Sequence, residues 1–261
     1  MKKEIKVGLF QFDICWEDIP GNYGIIEKHV QNIKSLPNLL ILPEMFTTGF
    51  TQNPKSLDKH MLEKHYNWQL DFSMNYRIHL MGTVVYFSDD KFYNRFIHTT
   101  PNGNVNTYDK RHLFQPGDEH KYFYPGQTRK VFDLEGIKFM PQICYDLRFP
   151  VWSRNNLGYH VLVYSSNWPI SRKLAWDTLL RARAIENQCY VIGVNRLGTD
   201  RNDIEYFGGS SVYGPQGQLL LILNSDETYN EVVLSINELE KYKTRFPFYK
   251  DADDFEIKNR D

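Results

Sequence analysis

The amino-acid sequence predicts a layered fold of strands and helices, of class α/β or α+β. Short apolar runs, typical of buried strands, alternate along the chain with longer mixed segments that are typical of helices. The chain has 261 residues, and its hydrophobic content of 41% and aromatic content of 15% can form a large buried core. Because no repeat, low-complexity tract or linker interrupts the sequence, we expect one domain over residues 1–261.

The N-terminal half is predicted to contain five strands and two helices. Apolar runs predict strands at residues 5–10, 39–42, 79–87, 92–100 and 105–108, and mixed runs predict helices at 23–35 and 57–76. Pro43 ends the second strand, so Glu44 lies at its carboxyl end. An Asn-Gly turn within residues 101–104 favours a hairpin before the fifth strand, and Lys110 follows that strand.

The C-terminal half begins with a long loop, residues 112–127, which is rich in glycine, proline and charge. A hairpin is predicted from residues 130–134 and 137–143, and Cys144 follows it directly. Beyond it we expect helices at 152–157 and 173–187, strands at 161–164 and 190–195, and a hairpin around 214–217.

The charge balance indicates small-molecule chemistry. Lys and Arg number 31 against 32 Asp and Glu, a formal net charge of −1, so no electrostatic field favours nucleic acid or an anionic membrane as a partner. The N-terminus carries charges where a signal peptide needs an apolar run, and no later stretch approaches the ~20 apolar residues of a membrane span. We therefore expect a cytoplasmic protein with no membrane partner.

Three cysteines occur without C-x-x-C spacing, so neither a disulfide framework nor a zinc site is indicated. Cys15 and Cys189 lie in or beside apolar strands, and we expect both to be buried. Cys144 is the candidate with chemistry around it.

A carboxylate, an ammonium and a thiol each follow a predicted strand: Glu44, Lys110 and Cys144. In layered α/β folds the carboxyl ends of strands are where sites assemble. These groups suffice for acyl transfer, with the carboxylate as base, the ammonium opposite the oxyanion and the thiolate as nucleophile. A nearby lysine would also increase the thiolate fraction of a cysteine whose usual pKa is about 8.5. The alternative is a buried structural cysteine with solvated Glu and Lys.

Other kinds of site fit the sequence less well. His112, Asp118, Glu119 and His120 do not match a standard metal-ligand spacing, so we expect neither a metal nor another cofactor. No histidine lies in a local signature of a papain-like protease. The sequence also contains no G-x-S-x-G, G-x-G-x-x-G or Walker A string, which argues against serine hydrolases, dinucleotide enzymes and P-loop proteins.

The local strings around the three groups resemble the signature segments of the nitrilase superfamily, in the order that the family shows. They read LPEMF at residues 42–46, YDKRHLF at 108–114 and ICYDLRFP at 143–150. The likeness continues through NWP at 167–169, RARAIENQ at 181–188 and YGPQG at 213–217, and so covers nearly the whole chain. Within the superfamily the sequence is most similar to the bacterial ω-amidase branch.

That resemblance implies a four-layer α-β-β-α sandwich with two mixed sheets packed face to face, usually paired into homodimers or larger homo-oligomers. It also implies the roles of the site residues. Glu44 would be the general base, Lys110 the oxyanion-stabilising cation, Cys144 the nucleophile and the Tyr145 backbone N–H a second oxyanion donor. A second glutamate often supports the site, and here Glu119 is the candidate, with the neighbouring Asp118 as the alternative.

The activity implied by the resemblance is hydrolysis by water of the terminal amide of a short α-keto acid, such as α-ketoglutaramate or α-ketosuccinamate. The route would pass through a cysteine thioacyl-enzyme, in a pathway that links transamination with methionine salvage. The alternatives are an N-carbamoyl amino-acid amidohydrolase, an aliphatic amidase, or an interaction protein on the same scaffold. The last would lack one of the three catalytic groups, and this chain has all three.

A dicarboxylate mono-amide needs a cation at the end of the pocket remote from Cys144, because an unpaired buried carboxylate is costly. Arg172 is the candidate, in the segment that follows Trp168, a further substrate-binding candidate, and precedes the predicted helix at 173–187. The alternative is a solvated surface arginine. Asp146 and Arg148 have the spacing of a structural ion pair and are interpreted as such.

Overall fold

The computed structural model describes residues 3–258. Both ends of the predicted domain lie outside the described residues: residues 1–2, which begin the charged N-terminus, and residues 259–261. The strands are β1 Glu4–Phe10, β2 Leu39–Ile41, β3 His79–Ser88, β4 Lys91–Thr99, β5 Val105–Asp109, β6 Phe132–Leu134, β7 Ile137–Ile143, β8 Val161–Ser166, β9 Tyr190–Asn195, β10 Leu197–Thr199, β11 Glu205–Phe207, β12 Ser211–Tyr213, β13 Leu219–Ile222 and β14 Tyr229–Ser235. The α-helices are α1 Ile19–Gln31, α2 Lys59–Glu63, α3 His65–Tyr76, α4 Pro150–Ser153, α5 Lys173–Asn187 and α6 Ile236–Arg245.

Twelve of these strands form two six-stranded mixed sheets. The first sheet has the order β14-β1-β2-β3-β4-β5 and the second the order β13-β12-β9-β8-β7-β6. Strands β1, β2 and β3 are parallel, as are β7, β8 and β9, and the outer strands pair antiparallel. Strand β4 pairs antiparallel with both β3 and β5, so β5 runs parallel to β3 and to β2. The carboxyl ends of β2 and β5 therefore lie at the same edge of the first sheet.

The two sheets pack face to face around one apolar core. Because successive side chains of a strand point to opposite faces, alternate residues such as Val7 and Leu9 of β1 join Val161 and Val163 of β8 in one buried cluster. This core also contains Ile41, Phe139 and Ile192.

Helices cover both outer faces of the sheets. The other faces of β1 and β2 pack against α1, with Phe10 and Leu40 touching the cluster that contains Ile26. On the second sheet, Trp176 and Leu180 of α5 pack over the outer face. The layers therefore run helix, sheet, sheet, helix, which confirms the fold expected from the sequence.

Among residues 3–258, no helix combines the length and the apolar character needed to cross a lipid bilayer.

Three helices differ from their predicted ranges. The Asp18 side chain accepts a hydrogen bond from the Gly21 N–H at 3.0 Å, and this cap, with proline in the first turn, starts α1 at Ile19. The helix predicted at 57–76 is two helices, α2 and α3, which meet at Lys64. Helix α4 covers Pro150–Ser153 instead of 152–157, because a proline starts it and Arg154 is already extended.

The hairpin β10–β11 and the elements β14 and α6 were not predicted. Three-residue strands carry little periodicity, and β14 is defined by its pairing with β1 from the other end of the chain. Such non-local pairing leaves little signal in the local sequence.

Candidate active site

Glu44, Lys110 and Cys144 meet in one pocket at the edge where the strands of both sheets end. Glu44 follows β2, Lys110 follows β5, and Cys144 follows β7. The pocket encloses about 310 Å³, the volume of a small molecule. Its walls are formed by Phe50, Gln52, Phe114, Pro116, Tyr145, Arg148, Asn167, Trp168, Pro169, Arg172, Asn202, Ile204 and Tyr206.

Lys110 lies between two carboxylates at the floor of the pocket. Its Nζ is 2.7 Å from Oε1 of Glu44 and 2.9 Å from Oε2 of Glu119, and all three side chains are fully buried. Glu119 also accepts a hydrogen bond from the Phe114 backbone N–H at 2.6 Å. The sequence left Asp118 as an alternative, but Asp118 pairs with Lys121 at the surface and does not reach the site.

Asn94 in β4 connects the same two carboxylates. Its Nδ2 donates to Glu44 Oε1 at 2.8 Å and to Glu119 Oε1 at 3.0 Å, while its Oδ1 accepts from the Thr83 hydroxyl at 2.9 Å. Asn94 was not among the residues predicted for the site. The feature of the sequence that could have indicated Asn94 is its position as a polar residue in β4 between Phe92 and Phe96, which are both buried.

The charges of this cluster influence one another strongly. Burial works against the ammonium of Lys110, but the nearby carboxylates of Glu119 and Glu44 outweigh burial and raise its pKa. Burial raises the pKa of Glu119, and the negative charge of Glu44 adds to this, although Lys110 opposes it. The pKa values of Lys110 and Glu119 are both raised because two carboxylates share one cation.

Cys144 begins a 3₁₀ turn, Cys144–Arg148, with a left-handed backbone at φ 42°. For a residue other than glycine this conformation is strained and needs support from its surroundings. Its Sγ lies 3.9 Å from the carbonyl oxygen of Asn167, and Cys144 and Glu44 line the same pocket. As a residue, Cys144 is partly exposed, and it lines the pocket.

Burial and two nearby charges of opposite sign act on the pKa of the Cys144 thiol. Burial, and then the charge of Glu44, raise the pKa of Cys144 well above its usual value, although the Lys110 ammonium acts in the opposite direction. The lysine therefore acts in the expected direction, but burial and the charge of Glu44 outweigh it. Burial and Glu44 thus favour the protonated form of the Cys144 thiol.

The loop after β8 joins the two sheets at the site. The Asn167 backbone N–H donates to Glu44 Oε2 at 2.8 Å, and Asn167 Nδ2 donates to the Glu44 carbonyl at 2.8 Å. The next residue, Trp168, is fixed by its N–H to Asn195 Oδ1 at 2.7 Å and by its Nε1 to the Arg172 carbonyl at 2.8 Å. Trp168 therefore forms a rigid part of the pocket wall.

Two arginines lie along the wall of the pocket. Arg172 stacks over Phe114 at 5.1 Å, and Arg148 stacks over Trp168 at 5.1 Å. Among residues 3–258 neither guanidinium forms an ion pair with a carboxylate. The expected Asp146–Arg148 ion pair was thus wrong, because the Asp146 carboxylate points into the protein while Arg148 points into the pocket.

The other predicted features of the chain lie elsewhere. Cys189 is buried, but Cys15 is exposed because it follows β1 in a loop rather than a strand, so the expectation that it is buried was wrong. His112 approaches Asp146 and His120 is exposed at the surface. Within the described part of the chain no three His, Cys, Asp or Glu side chains are grouped as metal ligands.

Comparison with known proteins gives one consistent family. The carbon-nitrogen hydrolase family model matches residues 6–243. The ω-amidase YafV of Escherichia coli strain K12 is 37% identical over 254 residues, which cover 97% of this chain and 98% of the relative. The 2-oxoglutaramate amidase of Bacillus subtilis is 31% identical over 94% of this chain and 96% of its own length.

Solved structures agree with this result. The CN-hydrolase superfamily protein XC1258 from Xanthomonas campestris, whose active site holds an arsenic adduct, superposes with a TM-score of 0.91 at 33% identity, covering 98% of this chain and 100% of that one. Nit3 of Saccharomyces cerevisiae, at 24% identity, shares the fold with a TM-score of 0.80 over 94% of this chain and 95% of its own. The predicted enzyme class, an amidohydrolase, is confirmed. The chain belongs to the carbon-nitrogen hydrolase family of the nitrilase superfamily.

Proposed function

We propose that the protein is an ω-amidase that hydrolyses the terminal amide of a short α-keto acid, such as α-ketoglutaramate or α-ketosuccinamate, to the dicarboxylate and ammonia. The observation that carries the proposal is a buried carboxylate and ammonium that share a small pocket with the partly exposed Cys144 and with two arginines in its wall. The names of two relatives, an ω-amidase and a 2-oxoglutaramate amidase, support the same activity.

The first half of the proposed reaction forms a thioacyl-enzyme. Glu44 takes the proton of the Cys144 thiol, the sulfur attacks the amide carbonyl carbon, and a carbon–sulfur bond forms. The oxyanion is stabilised by the Lys110 ammonium, whose raised pKa keeps it charged, and by the Tyr145 backbone N–H. Tyr145 is in the first turn of a 3₁₀ segment, where N–H groups lack an intrahelical acceptor. The carbon–nitrogen bond then breaks as protonated Glu44 returns its proton to the leaving nitrogen, which departs as ammonia.

The second half of the reaction consumes one water molecule. Glu44, ionised again, removes a proton from water as the oxygen attacks the thioester carbonyl carbon. The carbon–sulfur bond then breaks, and the proton on Glu44 returns to the sulfur of Cys144. The product leaves as the carboxylic acid and ionises in solution, while the enzyme regains its starting state.

Glu44 is assigned as the base because its charge acts directly on the Cys144 thiol, whereas the charge of Glu119 acts on Lys110. Both oxygens of Glu119 are engaged by Lys110, by Asn94 and by the Phe114 N–H. Glu119 therefore orients the ammonium and adds negative charge that keeps Lys110 protonated.

Arg172 and Arg148 are proposed to bind the substrate carboxylate remote from Cys144. Each guanidinium stacks on a ring of the wall, which limits its motion and leaves its N–H groups free to reach an anion. Trp168 and Phe114 supply the apolar surface for the short carbon chain between the two ends.

The same arginines would bind the carboxylate of an N-carbamoyl amino acid, so an N-carbamoyl amino-acid amidohydrolase is the second candidate. A neutral aliphatic amide would leave both guanidinium groups without an anionic partner.

We further propose that residues 1–261 form a single domain, and that the protein is a cytoplasmic homodimer or larger homo-oligomer acting in methionine salvage. The exposed apolar side chains of Leu174 and Ile185 on α5 support self-association.

The test of the proposed function is ammonia release from a panel of amides. We expect the highest kcat/KM for α-ketoglutaramate or α-ketosuccinamate, less for N-carbamoyl amino acids, and little for glutamine or butyramide. Highest activity on an N-carbamoyl amino acid would favour the second candidate. Highest activity on butyramide would contradict both assignments, because it would show that no anionic group of the substrate is needed.

A further inference from the structure

A buried aspartate joins the turn that carries Cys144 to the segment that carries Lys110. The Tyr108 hydroxyl donates to Asp146 Oδ2 at 2.7 Å, and the Ile143 N–H donates to the same oxygen at 3.0 Å. Asp146 Oδ1 accepts from the backbone N–H of His112 at 3.0 Å and lies 2.8 Å from His112 Nδ1. Oδ2 of this fully buried carboxylate therefore bonds to both segments, and Oδ1 bonds to the lysine segment alone.

This junction bears directly on the strained backbone of the nucleophile. Ile143, held by Asp146, immediately precedes Cys144 with its left-handed φ of 42°. His112 is two residues after Lys110, so the same carboxylate also fixes the exit of the lysine segment. A displacement of Asp146 would therefore move the thiol relative to the ammonium.

The ring of His112 is held so that one nitrogen faces Asp146. It stacks on Phe149 at a centroid distance of 3.7 Å and an interplanar angle of 8°, and it meets the edge of Trp152. Trp152 Nε1 in turn donates to the Tyr108 oxygen at 2.9 Å. Because a carboxylate only accepts, His112 Nδ1 carries the proton and donates it.

We infer that His112 and Asp146 are positioning residues for acyl transfer at Cys144. Their hydrogen bond sets the distance between the thiol and the Lys110 ammonium, so its loss lowers the rate of the chemical step without weakening substrate binding. The inference rests on the proposed function only in requiring acyl transfer at this thiol, and it holds for any amide that the pocket accepts.

Two substitutions of His112 separate the hydrogen bond from the packing. His112→Asn keeps a donor at the same distance from Cβ as Nδ1 and removes the stack on Phe149. His112→Phe keeps the stack and removes the donor. Both are made in a Cys15→Ser background, because Cys15 is exposed and would react with thiol reagents. The matched control is His120→Phe, an exposed histidine of the same loop.

The readouts are kcat, KM and the rate at which iodoacetamide alkylates Cys144, followed by mass spectrometry. For His112→Phe we expect kcat to fall on the order of 10²-fold and alkylation to slow, with KM unchanged, since a misplacement of about 1 Å has effects of that size. His112→Asn should recover most of the rate, and His120→Phe should match the parent. Asp146→Asn should resemble His112→Phe if it folds.

The reverse order, with His112→Phe active and His112→Asn impaired, would overturn the inference and assign a packing role to the ring. Equal rates in both variants would overturn it as well. Alkylation needs no amide substrate, so it tests the inference even if none of the α-keto acid amides is hydrolysed, an outcome that would contradict the proposed function alone.

Discussion

The two sheets contribute opposite halves of the candidate site. The first sheet supplies Glu44, Asn94 and Lys110, which are fully buried together with Glu119 and linked by hydrogen bonds of 2.7–3.1 Å. The second sheet supplies Cys144, partly exposed on a strained backbone, and the arginines of the wall.

This difference indicates that the two sides of the site have different roles. The charges on the first-sheet side already have their partners, so no reorganisation is required when charge develops in the transition state. The groups on the second-sheet side must meet the substrate, and their polar atoms are accordingly open to the pocket. Substitutions on the two sides should therefore differ in which property they change.

The largest effect is expected at the nucleophile on the second-sheet side. Cys144→Ala should remove turnover by a factor on the order of 10⁶ while the protein stays folded, because no other described group in the pocket can form the acyl-enzyme. Rapid quenching of the wild-type enzyme with substrate should give a mass adduct on Cys144. An adduct on Cys15 or Cys189 would refute this assignment, and Cys15→Ser serves as the control with normal turnover.

On the first-sheet side, Lys110→Met should damage both turnover and stability. Loss of one oxyanion donor typically costs about 10²–10³ in kcat. Removal of the ammonium also leaves Glu44 and Glu119 buried without a cation, a change that costs about 3–5 kcal/mol.

The measurements for this prediction are kcat and the free energy of unfolding in urea. Glu44→Gln is the matched variant, which should lose turnover with a smaller loss of stability, and the effects of the two substitutions on kcat should not add. A Lys110→Met enzyme with wild-type kcat would exclude the lysine from the oxyanion site.

The arginines should change KM rather than kcat. Arg172→Ala is expected to raise KM for the α-keto acid amide about ten- to a hundredfold, the range for a lost hydrogen bond to a charged group, and to leave KM for a neutral amide of similar length unchanged. Arg148→Ala shows whether the second arginine shares this role, and the exposed Arg201→Ala is the control. Equal losses on charged and neutral amides would reject Arg172 as the carboxylate anchor.

The last prediction concerns the pH dependence of stability. Burial lowers the pKa of His65 and of His98 from about 6.5 to about 3, with His79 adding to the effect at His98. Between these values the unfolded chain binds more protons than the folded protein, so stability should fall as the pH drops from 6.5 towards 3. Each histidine contributes up to about 1.4 kcal/mol per pH unit.

Urea unfolding at pH 7.5, 6.0 and 5.0 measures this slope. His98→Gln should make the loss of stability shallower, and the exposed His120→Gln should leave the slope at its wild-type value. A wild-type protein equally stable at all three pH values would show that these two histidines are not held neutral.

Much of the second-sheet helix and strand pattern followed from local sequence. The long helix at 173–187 and the strand at 190–195 were predicted with their observed bounds, because each has a regular apolar period and a clear end. The region after residue 217 could not be assigned in the same way, since β14 is formed by pairing with β1. The bounds of α1 depended on a cap at Asp18 that lies before the apolar run.

The sequence by itself determined the family, the layered class of fold and three chemically capable groups at strand ends, because these depend on residue identity and local order. The tertiary structure decided which groups touch. It placed Glu119 rather than Asp118 against Lys110, added Asn94 between the carboxylates and raised the pKa of the Cys144 thiol. These properties depend on burial and on distances between segments far apart in the chain, and a single sequence carries no measure of either.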